Sequence, residues 1–378
     1  MSYPKLVEGK AEQSRNSAGG APRTGDAYVW GMAEPKGYVG VLDLLRGGAA
    51  LAVVLFHFSL PGGEMQHFYT PLLLTLFRKG FLGVHVFFVI SGFVLPLSLW
   101  AASYRLADFW PYLRRRAVRL LPPAYASLLL VLAVRAVADG MIHHRWHALA
   151  TLSVGQVLSN LLLVAPYSGH SYINGVFWTL EVEFQYYLVL GLLFPLLFGP
   201  GRFWLFLWVH LAIFAAGLIP GLYVQNYLHF SPLFTMGSLT FLFHQGRLPL
   251  RPYLLALALF AGLTGVNIHP EQAIVATATA LVIAFVKANH PVFKFFGTIS
   301  YSVYLTHIVV GGTVNFMLFK LVPNASADGC LAIVALAVAL SIGFATLFNR
   351  WIEQPFLQLS HVRLKNHSSI DSPRNERS

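Results

Sequence analysis

The chain has 378 residues, of which 56% are hydrophobic and only 11% are charged, and its formal net charge is +11. Soluble domains carry about 25% charged residues, so this composition excludes an ordinary soluble enzyme and favours a helical membrane protein. In such a protein an excess of Lys and Arg indicates basic cytoplasmic loops and anionic lipid rather than nucleic acid, and the single cysteine excludes an intramolecular disulfide framework.

Eleven apolar segments approach the length of a membrane helix. They lie near residues 41–60, 81–100, 120–138, 152–165, 176–199, 203–220, 228–244, 252–267, 271–287, 297–319 and 330–349. The sequence therefore predicts an all-α, polytopic membrane helix bundle within a domain of residues 38–360. Residues 1–37 and 361–378 are polar and charged, so we expect two disordered cytoplasmic tails and no cleavable signal peptide.

The first apolar segment carries three ionisable residues, Asp43, Arg46 and His57. The last two are eleven residues apart, so in a helix they share one face and lie about 16 Å apart along the axis. Charged groups inside a membrane usually face a protein interior. We predict that His57 is a general base and that Arg46 meets an anion, which is Asp43, Glu183 or a substrate phosphate. The alternatives are a packing histidine and a structural Arg46–Asp43 pair.

A basic amphipathic stretch at 108–123 lies next to the third apolar segment. It holds four arginines: Arg114, Arg115, Arg116 and Arg119. Guanidinium groups match phosphates in bidentate fashion, so these side chains are candidates to hold the phosphates of a soluble cytoplasmic donor. The stretch is equally typical of a topology signal that binds lipid headgroups, and the two roles are compatible.

The fourth apolar segment, 152–165, is short and contains Gln156, Ser159 and Asn160. If it does not cross the membrane, 20 Lys and Arg residues lie inside and 5 outside, with Arg46 within the membrane. If it crosses, this bias disappears. The positive-inside rule therefore predicts ten spans with both termini cytoplasmic, and 152–165 as a re-entrant or interfacial piece that borders the site.

The fifth apolar segment opens with two carboxylates, Glu181 and Glu183. They are separated by about 200° around a helix, so they cannot share a face, whereas Glu181 shares a stripe with Trp178. We expect one carboxylate to orient His57 and to stabilise its protonated form, as an acid does in a catalytic triad. The alternative is an interfacial aromatic belt with carboxylates near the headgroups.

The tenth apolar segment carries a polar stripe formed by Ser300, Tyr304, His307 and Gly311. Their spacings of three and four residues place them on one face of an otherwise apolar helix. We predict that Tyr304 and His307, together with Trp178 and Glu181, contribute to substrate binding. Hydrogen bonding between packed helices is the alternative.

Taken together, six segments resemble the acyltransferase 3 family of integral-membrane O-acyltransferases. They run in the family's order: Asp43 to His57 (its Arg-x10-His element), Gly83 to Phe93, Phe109 to Pro123, Phe177 to Tyr187, Ile299 to His307, and Trp351 to Phe356. The chain has His85 where the second of these signatures often has Asp. The resemblance implies ten spans, an acyl-CoA donor reached from the cytoplasm, and His57 with Arg46 at the centre of activity.

These observations predict an acyl-CoA-dependent O-acetyltransferase of the inner membrane that modifies a glycan or glycolipid acceptor. No metal and no permanently bound cofactor are expected, because acyl-CoA acts as a co-substrate. A transporter or flippase of a lipid-linked sugar is the alternative, since membrane carboxylates and histidines also serve proton coupling. The concentration of charged intramembrane residues in the first half of the chain disfavours it, because transporters often have matching halves.

Overall fold

The computed structural model describes residues 39–59, 71–143, 151–219 and 226–361, and these residues form helices without any strand. The α-helices are α1 (Val41–Ser59), α2 (Pro71–Arg78), α3 (Gly83–Ala101), α4 (Phe109–His143), α5 (Val154–Leu161), α6 (Phe177–Leu197), α7 (Phe203–Ala216), α8 (Tyr227–His244), α9 (Leu250–Asn267), α10 (Pro270–Phe285), α11 (Pro291–Thr306), α12 (Thr313–Leu321), α13 (Ala327–Phe348) and α14 (Gln354–His361). The predicted tail 1–37 lies outside the described residues, and so does 361–378 apart from its first residue.

Six helical stretches within the described ranges are long and apolar enough to cross a membrane, or seven if the bent pair α11 and α12 counts as one span. They are built on α1, α3, α4, α6, α9 and α13. The chain is therefore a polytopic membrane helix bundle. Three other predicted spans correspond to α7, α8 and α10, which are helical but fall short in length or hydropathy. The sequence predicts ten membrane spans, whereas the length and composition of the described helices establish six or seven.

The short segment 152–165 contains only the eight-residue helix α5. Eight residues rise about 12 Å, which is less than half of the 30 Å hydrocarbon core, so α5 cannot cross a membrane by itself. Its residue Asn160 accepts a hydrogen bond from the Ile173 backbone N–H (2.9 Å) and donates one to the Ser171 carbonyl oxygen (3.1 Å). The segment thus fixes the loop that leads into α6.

Helix α4 differs from its prediction, because the basic stretch and the third apolar segment form one helix of 35 residues. Pro122 and Pro123 lie inside this helix without ending it. At 1.5 Å per residue it is about 52 Å long and exceeds the hydrocarbon core. The helix is therefore longer than one crossing of a membrane requires.

The polar stripe of the tenth apolar segment is broken by a bend of 57° between α11 and α12. The bend contains a π-helical turn at Ile308–Gly312, directly after His307. An added Cβ at Gly311 would overlap Ser341 and Phe58, so the turn depends on a residue without a side chain. Such π turns are frequent at functional sites. Gly311 therefore packs against α1 and α13 instead of continuing the stripe.

Close helix contacts position α1 against α11. An added Cβ at Gly297 would come within 2.6 Å of the Asp43 side chain, and one at Gly47 within 2.6 Å of Phe296 Cβ. Small residues allow membrane helices to approach in this way. The contact holds the helix that carries Arg46 and His57 beside the helix that carries Tyr304.

Candidate active site

The central feature of the site is a pair of histidines from α1 and the end of α11. His57 Nδ1 lies 3.1 Å from His307 Nε2 and 2.9 Å from the Val53 carbonyl oxygen. His307 is fully buried, and its Nδ1 lies 2.9 Å from the Tyr304 carbonyl oxygen and 3.1 Å from that of Val303. Each ring thus contacts carbonyl oxygens of its own helix, and the two rings contact each other.

These contacts determine the tautomers of the neutral rings. A carbonyl oxygen only accepts, so His307 Nδ1 must carry the hydrogen and its Nε2 is left as an acceptor. His57 Nδ1 then faces two acceptors, the Val53 carbonyl oxygen and His307 Nε2, and must carry the hydrogen as well. The Nε2 of neutral His57 consequently keeps its lone pair, which is the form that a general base requires.

His57 lines a cavity of about 320 Å³, hereafter the histidine cavity. The cavity forms where the C-terminal end of α1 meets the N-terminal ends of α3, α6, α8 and α10. Its wall includes His57, His85, His229, Gln272, Trp178, Phe230 and Tyr304. The volume is at the lower end of the range for ligand pockets, about 300–1,000 Å³, and the wall combines aromatic rings with a few polar groups, as ligand sites do.

Trp178 and Tyr304 hold fixed positions in this wall. The Trp178 ring centroid lies 5.7 Å from that of Phe230 and 6.2 Å from that of Phe88. Tyr304 is buried, and its hydroxyl lies 2.7 Å from Thr179 Oγ1. Because the Thr179 hydroxyl donates to the Val176 carbonyl oxygen, the Tyr304 hydroxyl donates to Thr179. The hydrogen of the Tyr304 hydroxyl group is thus already used in a hydrogen bond within the protein.

Glu181 lies one turn beyond Trp178 and is buried, with 1% of its surface exposed. Its Oε2 accepts a hydrogen bond of 3.0 Å from the hydroxyl group of Tyr172, in the loop that α5 fixes. Burial raises the pKa of Tyr172, and the adjacent Glu181 carboxyl raises it further. Tyr172 therefore stays protonated and donates, so Glu181 anchors the loop to α6.

A second group of predicted residues forms the arginine cluster, which consists of Arg46, Arg116, Arg119, Glu183 and Tyr187. Glu183 Oε1 accepts hydrogen bonds from Tyr187 (2.8 Å) and Ser91 (3.1 Å). Arg46 lies within electrostatic range of Glu183 and Arg119, and also of Asp43. The cluster joins α1, α3, α4 and α6 at a different depth from the histidine cavity.

Arg116 is the arginine of α4 that reaches furthest into this cluster. Its guanidinium group donates to Ser98 Oγ (2.6 Å) and lies over the rings of Tyr112 (5.7 Å) and Tyr187 (5.8 Å). On the same helix, Arg114 is exposed and Arg115 half-buried. Arg119 is exposed as well, but it lies within electrostatic range of both Arg46 and Arg116.

The position of Glu183 differs from the expectation that a carboxylate orients His57. Glu183 lies five residues beyond Trp178, which is about 7.5 Å deeper along α6 and about 140° around it. It consequently falls near the level of Arg46, and the imidazole of His57 contacts another histidine instead. The structure thus places most of the predicted site residues in two separate groups, whereas Glu181 and Arg114 belong to neither.

Comparison with known proteins identifies the family. A family profile described as an acyltransferase domain, of the acyltransferase 3 type, matches residues 39–346. The chain belongs to the acyltransferase 3 family. A Bacillus subtilis (strain 168) protein named "Putative peptidoglycan O-acetyltransferase YrhL" is 27% identical over 163 residues, an alignment that covers 40% of this chain and 23% of that protein. No solved structure is similar to the chain.

Three polar residues of the histidine cavity, His85, His229 and Gln272, were not predicted as site residues. Each lies near the N-terminal end of a predicted apolar segment, at 81–100, 228–244 and 271–287. The predicted topology places these three ends on the same side of the membrane as His57. The distance of each polar residue from the outer end of its predicted segment would therefore have grouped these three with His57. Within the described ranges, no three His, Cys, Asp or Glu side chains are arranged to hold a metal ion.

Proposed function

We propose that the chain transfers an acyl group, expected to be acetyl, from cytoplasmic acyl-CoA to a hydroxyl group of a cell-surface or exported glycan. The observation that carries the proposal is the His57–His307 contact at the wall of the histidine cavity, because it leaves His57 Nε2 free to accept a proton. Family membership supports acyl transfer, and the name of the Bacillus relative supports a glycan acceptor.

In the proposed reaction, His57 Nε2 takes the proton of the acceptor hydroxyl while the oxygen attacks the thioester carbonyl carbon. The new C–O bond forms, the C–S bond breaks, and the coenzyme A thiolate receives the proton that His57 held. The products are the ester and the free thiol, and no oxidant or metal is needed. A relay through an acyl-histidine is the variant of this route, and trapping of labelled acyl groups on the protein distinguishes it.

The arginine cluster is proposed as the donor side. Arg116 and Arg119 lie on the long helix α4, whose arginine-rich end extends towards the cytoplasm in the predicted topology, where acyl-CoA phosphates arrive. Arg46 is the member of this cluster that α1 carries, and it lies about 16 Å along that helix from His57. The proposed path for the thioester therefore follows α1. We further propose ten spans in an inner membrane, with both termini cytoplasmic.

The decisive experiment measures acylation of the envelope glycans by mass spectrometry in a strain producing His57→Ala. We expect a loss of about 10²–10⁴-fold, the usual contribution of a positioned general base, with normal protein levels in the membrane. His210→Ala is the matched control, because His210 is also a buried membrane histidine but contacts the Phe206 carbonyl oxygen away from the cavity. Wild-type acylation in His57→Ala would refute the proposal.

A deletion strain distinguishes the enzyme from the transporter of a lipid-linked sugar. The enzyme predicts that the glycan is still exported but lacks its acyl groups. The transporter predicts that the glycan itself is missing from the surface. This comparison works for any acceptor glycan, because the mass difference of the glycan reports the acyl group directly.

A further inference from the structure

The histidine cavity contains a polar patch that the proposed chemistry does not use. It is formed by His85, near the start of α3, and Gln272, near the start of α10, whose side chains lie against each other. His85 is buried, with 4% of its surface exposed. His85 Nδ1 and Gln272 Oε1 are both shielded from solvent, and neither makes a well-aligned hydrogen bond to the described residues. The Phe81 and Leu82 carbonyl oxygens and the Gln272 side chain lie only within longer range of the His85 ring.

Two polar atoms without a well-aligned hydrogen bond in the wall of one cavity are suited to bind a polar ligand. Nearly all buried polar groups in proteins have a partner, because an unmade hydrogen bond costs free energy. Gln272 Oε1 can only accept, so it requires a donor from the ligand, such as a hydroxyl or an amide N–H. A neutral His85 offers either a donor or an acceptor at Nδ1, which a hydroxyl group satisfies in both cases.

The rest of the cavity wall narrows the class of ligand. The rings of Phe81 and Phe230 lie 5.9 Å and 6.1 Å from the His85 ring, and Trp178 packs against Phe230. Aromatic faces pack against apolar surface, while the patch binds polar groups. A pyranose sugar has both an apolar surface, from the C–H groups on its faces, and polar groups, from the hydroxyls at its edge. A cavity of about 320 Å³ suits one such ring with its nearest substituents.

We propose that His85 and Gln272 recognise the acceptor: they bind a second hydroxyl or an acylamino group of the sugar ring whose hydroxyl group reacts at His57. This inference rests on the proposed function, because it makes the histidine cavity the acceptor subsite. It assigns the two residues to substrate positioning and leaves proton transfer to His57.

The test uses the purified full-length protein, acetyl-CoA labelled in the acetyl group, and the envelope glycan of the producing strain after mild alkaline deacylation. His85→Phe and Gln272→Met keep side chains of similar shape and remove the imidazole nitrogens and the amide group. Each should raise KM for the glycan by about tenfold, the value of one hydrogen bond, with KM for acetyl-CoA unchanged and kcat within about threefold.

The controls separate this inference from the proposed function. His210→Phe removes a buried histidine elsewhere in the bundle and should change neither constant, and thermal melting checks that each variant is folded. If wild-type KM for the glycan persists in both His85→Phe and Gln272→Met, the inference is wrong. It is equally wrong if KM for acetyl-CoA rises instead, because the cavity would then hold the donor. Absence of transfer by the wild-type protein would overturn the proposed function itself.

Discussion

At the scale of single residues, the contact between His57 and His307 makes a sharp prediction. His307→Leu removes the acceptor that helps to keep the hydrogen on His57 Nδ1, so the neutral ring can place it on Nε2, where it blocks general base action. We expect kcat to fall by about 10²-fold, within the range that general base catalysis contributes, with little change in either KM. The measurement is acetyl transfer over a range of both substrates.

A matched variant separates this tautomer effect from lost packing. His307→Gln offers an amide oxygen that accepts from His57 Nδ1, so it should retain more activity than His307→Leu. Similar activity losses in both variants, accompanied by lower melting temperatures, would assign His307 to packing alone. In that case the proton position on His57 would have to depend on the Val53 carbonyl oxygen.

The sequence could suggest the residue types of the site but not their grouping. Spacing within one helix predicts a shared face for Arg46 and His57, because the helical repeat is fixed. It does not predict which residue of another helix lies at the same depth, since this depends on how far each helix is displaced along the bundle. For that reason the sequence left Glu183 as a possible partner of either His57 or Arg46, and the structure brings it within electrostatic range of Arg46.

At the scale of helices, the crossing of α3 and α8 depends on two glycines. An added Cβ at Gly92 would overlap the Phe234 carbonyl oxygen, and one at Gly237 would overlap that of Val89. Backbone atoms cannot move aside as a flexible side chain can, so Gly92→Ala and Gly237→Ala should each destabilise the fold by about 1–3 kcal/mol or more. Thermal melting in detergent measures the effect.

Gly343→Ala is the control for this pair, because an added Cβ at Gly343 meets nothing within 4 Å. Alanine is the better helix former by about 0.5–1 kcal/mol, so this variant should melt at the same or a higher temperature. An equal decrease in melting temperature for Gly343→Ala would show that the loss reflects glycine replacement in general rather than the α3–α8 crossing.

Hydropathy predicted where the helices lie but not how they deviate from straight spans. The apolar segment 297–319 has no proline to announce the bend after His307, and the bend arises from packing of Gly311 against α1 and α13. Conversely, α4 continues through the prolines at 122 and 123. In membranes, neighbouring helices can satisfy the backbone groups that proline leaves free. A proline in the sequence is therefore a weaker sign of a helix end there than in a soluble protein.

At the scale of the whole molecule, the ten-span topology predicts the side of each loop. The single cysteine, Cys330, is buried, so replacing it with Ala gives a background for new cysteines. Lys79→Cys, between α2 and α3, should react with a membrane-impermeant maleimide in intact cells. Arg251→Cys, near the start of α9, should react only after permeabilisation. Both side chains are exposed from the helix bundle, and reaction after permeabilisation shows that a position unreactive in intact cells faces the inner side.

The labelling result bears on the site as well as on the topology. Lys79 precedes α3 near His85, and the predicted topology therefore puts the histidine cavity towards the outer side, where an exported glycan arrives. Arg251 lies on the side predicted for the arginine-rich end of α4, where a cytoplasmic thioester arrives. If Arg251→Cys reacts in intact cells and Lys79→Cys does not, the true topology is the reverse of the predicted one. The histidine cavity would then face the cytoplasm, and the proposed roles of the two clusters would have to be exchanged.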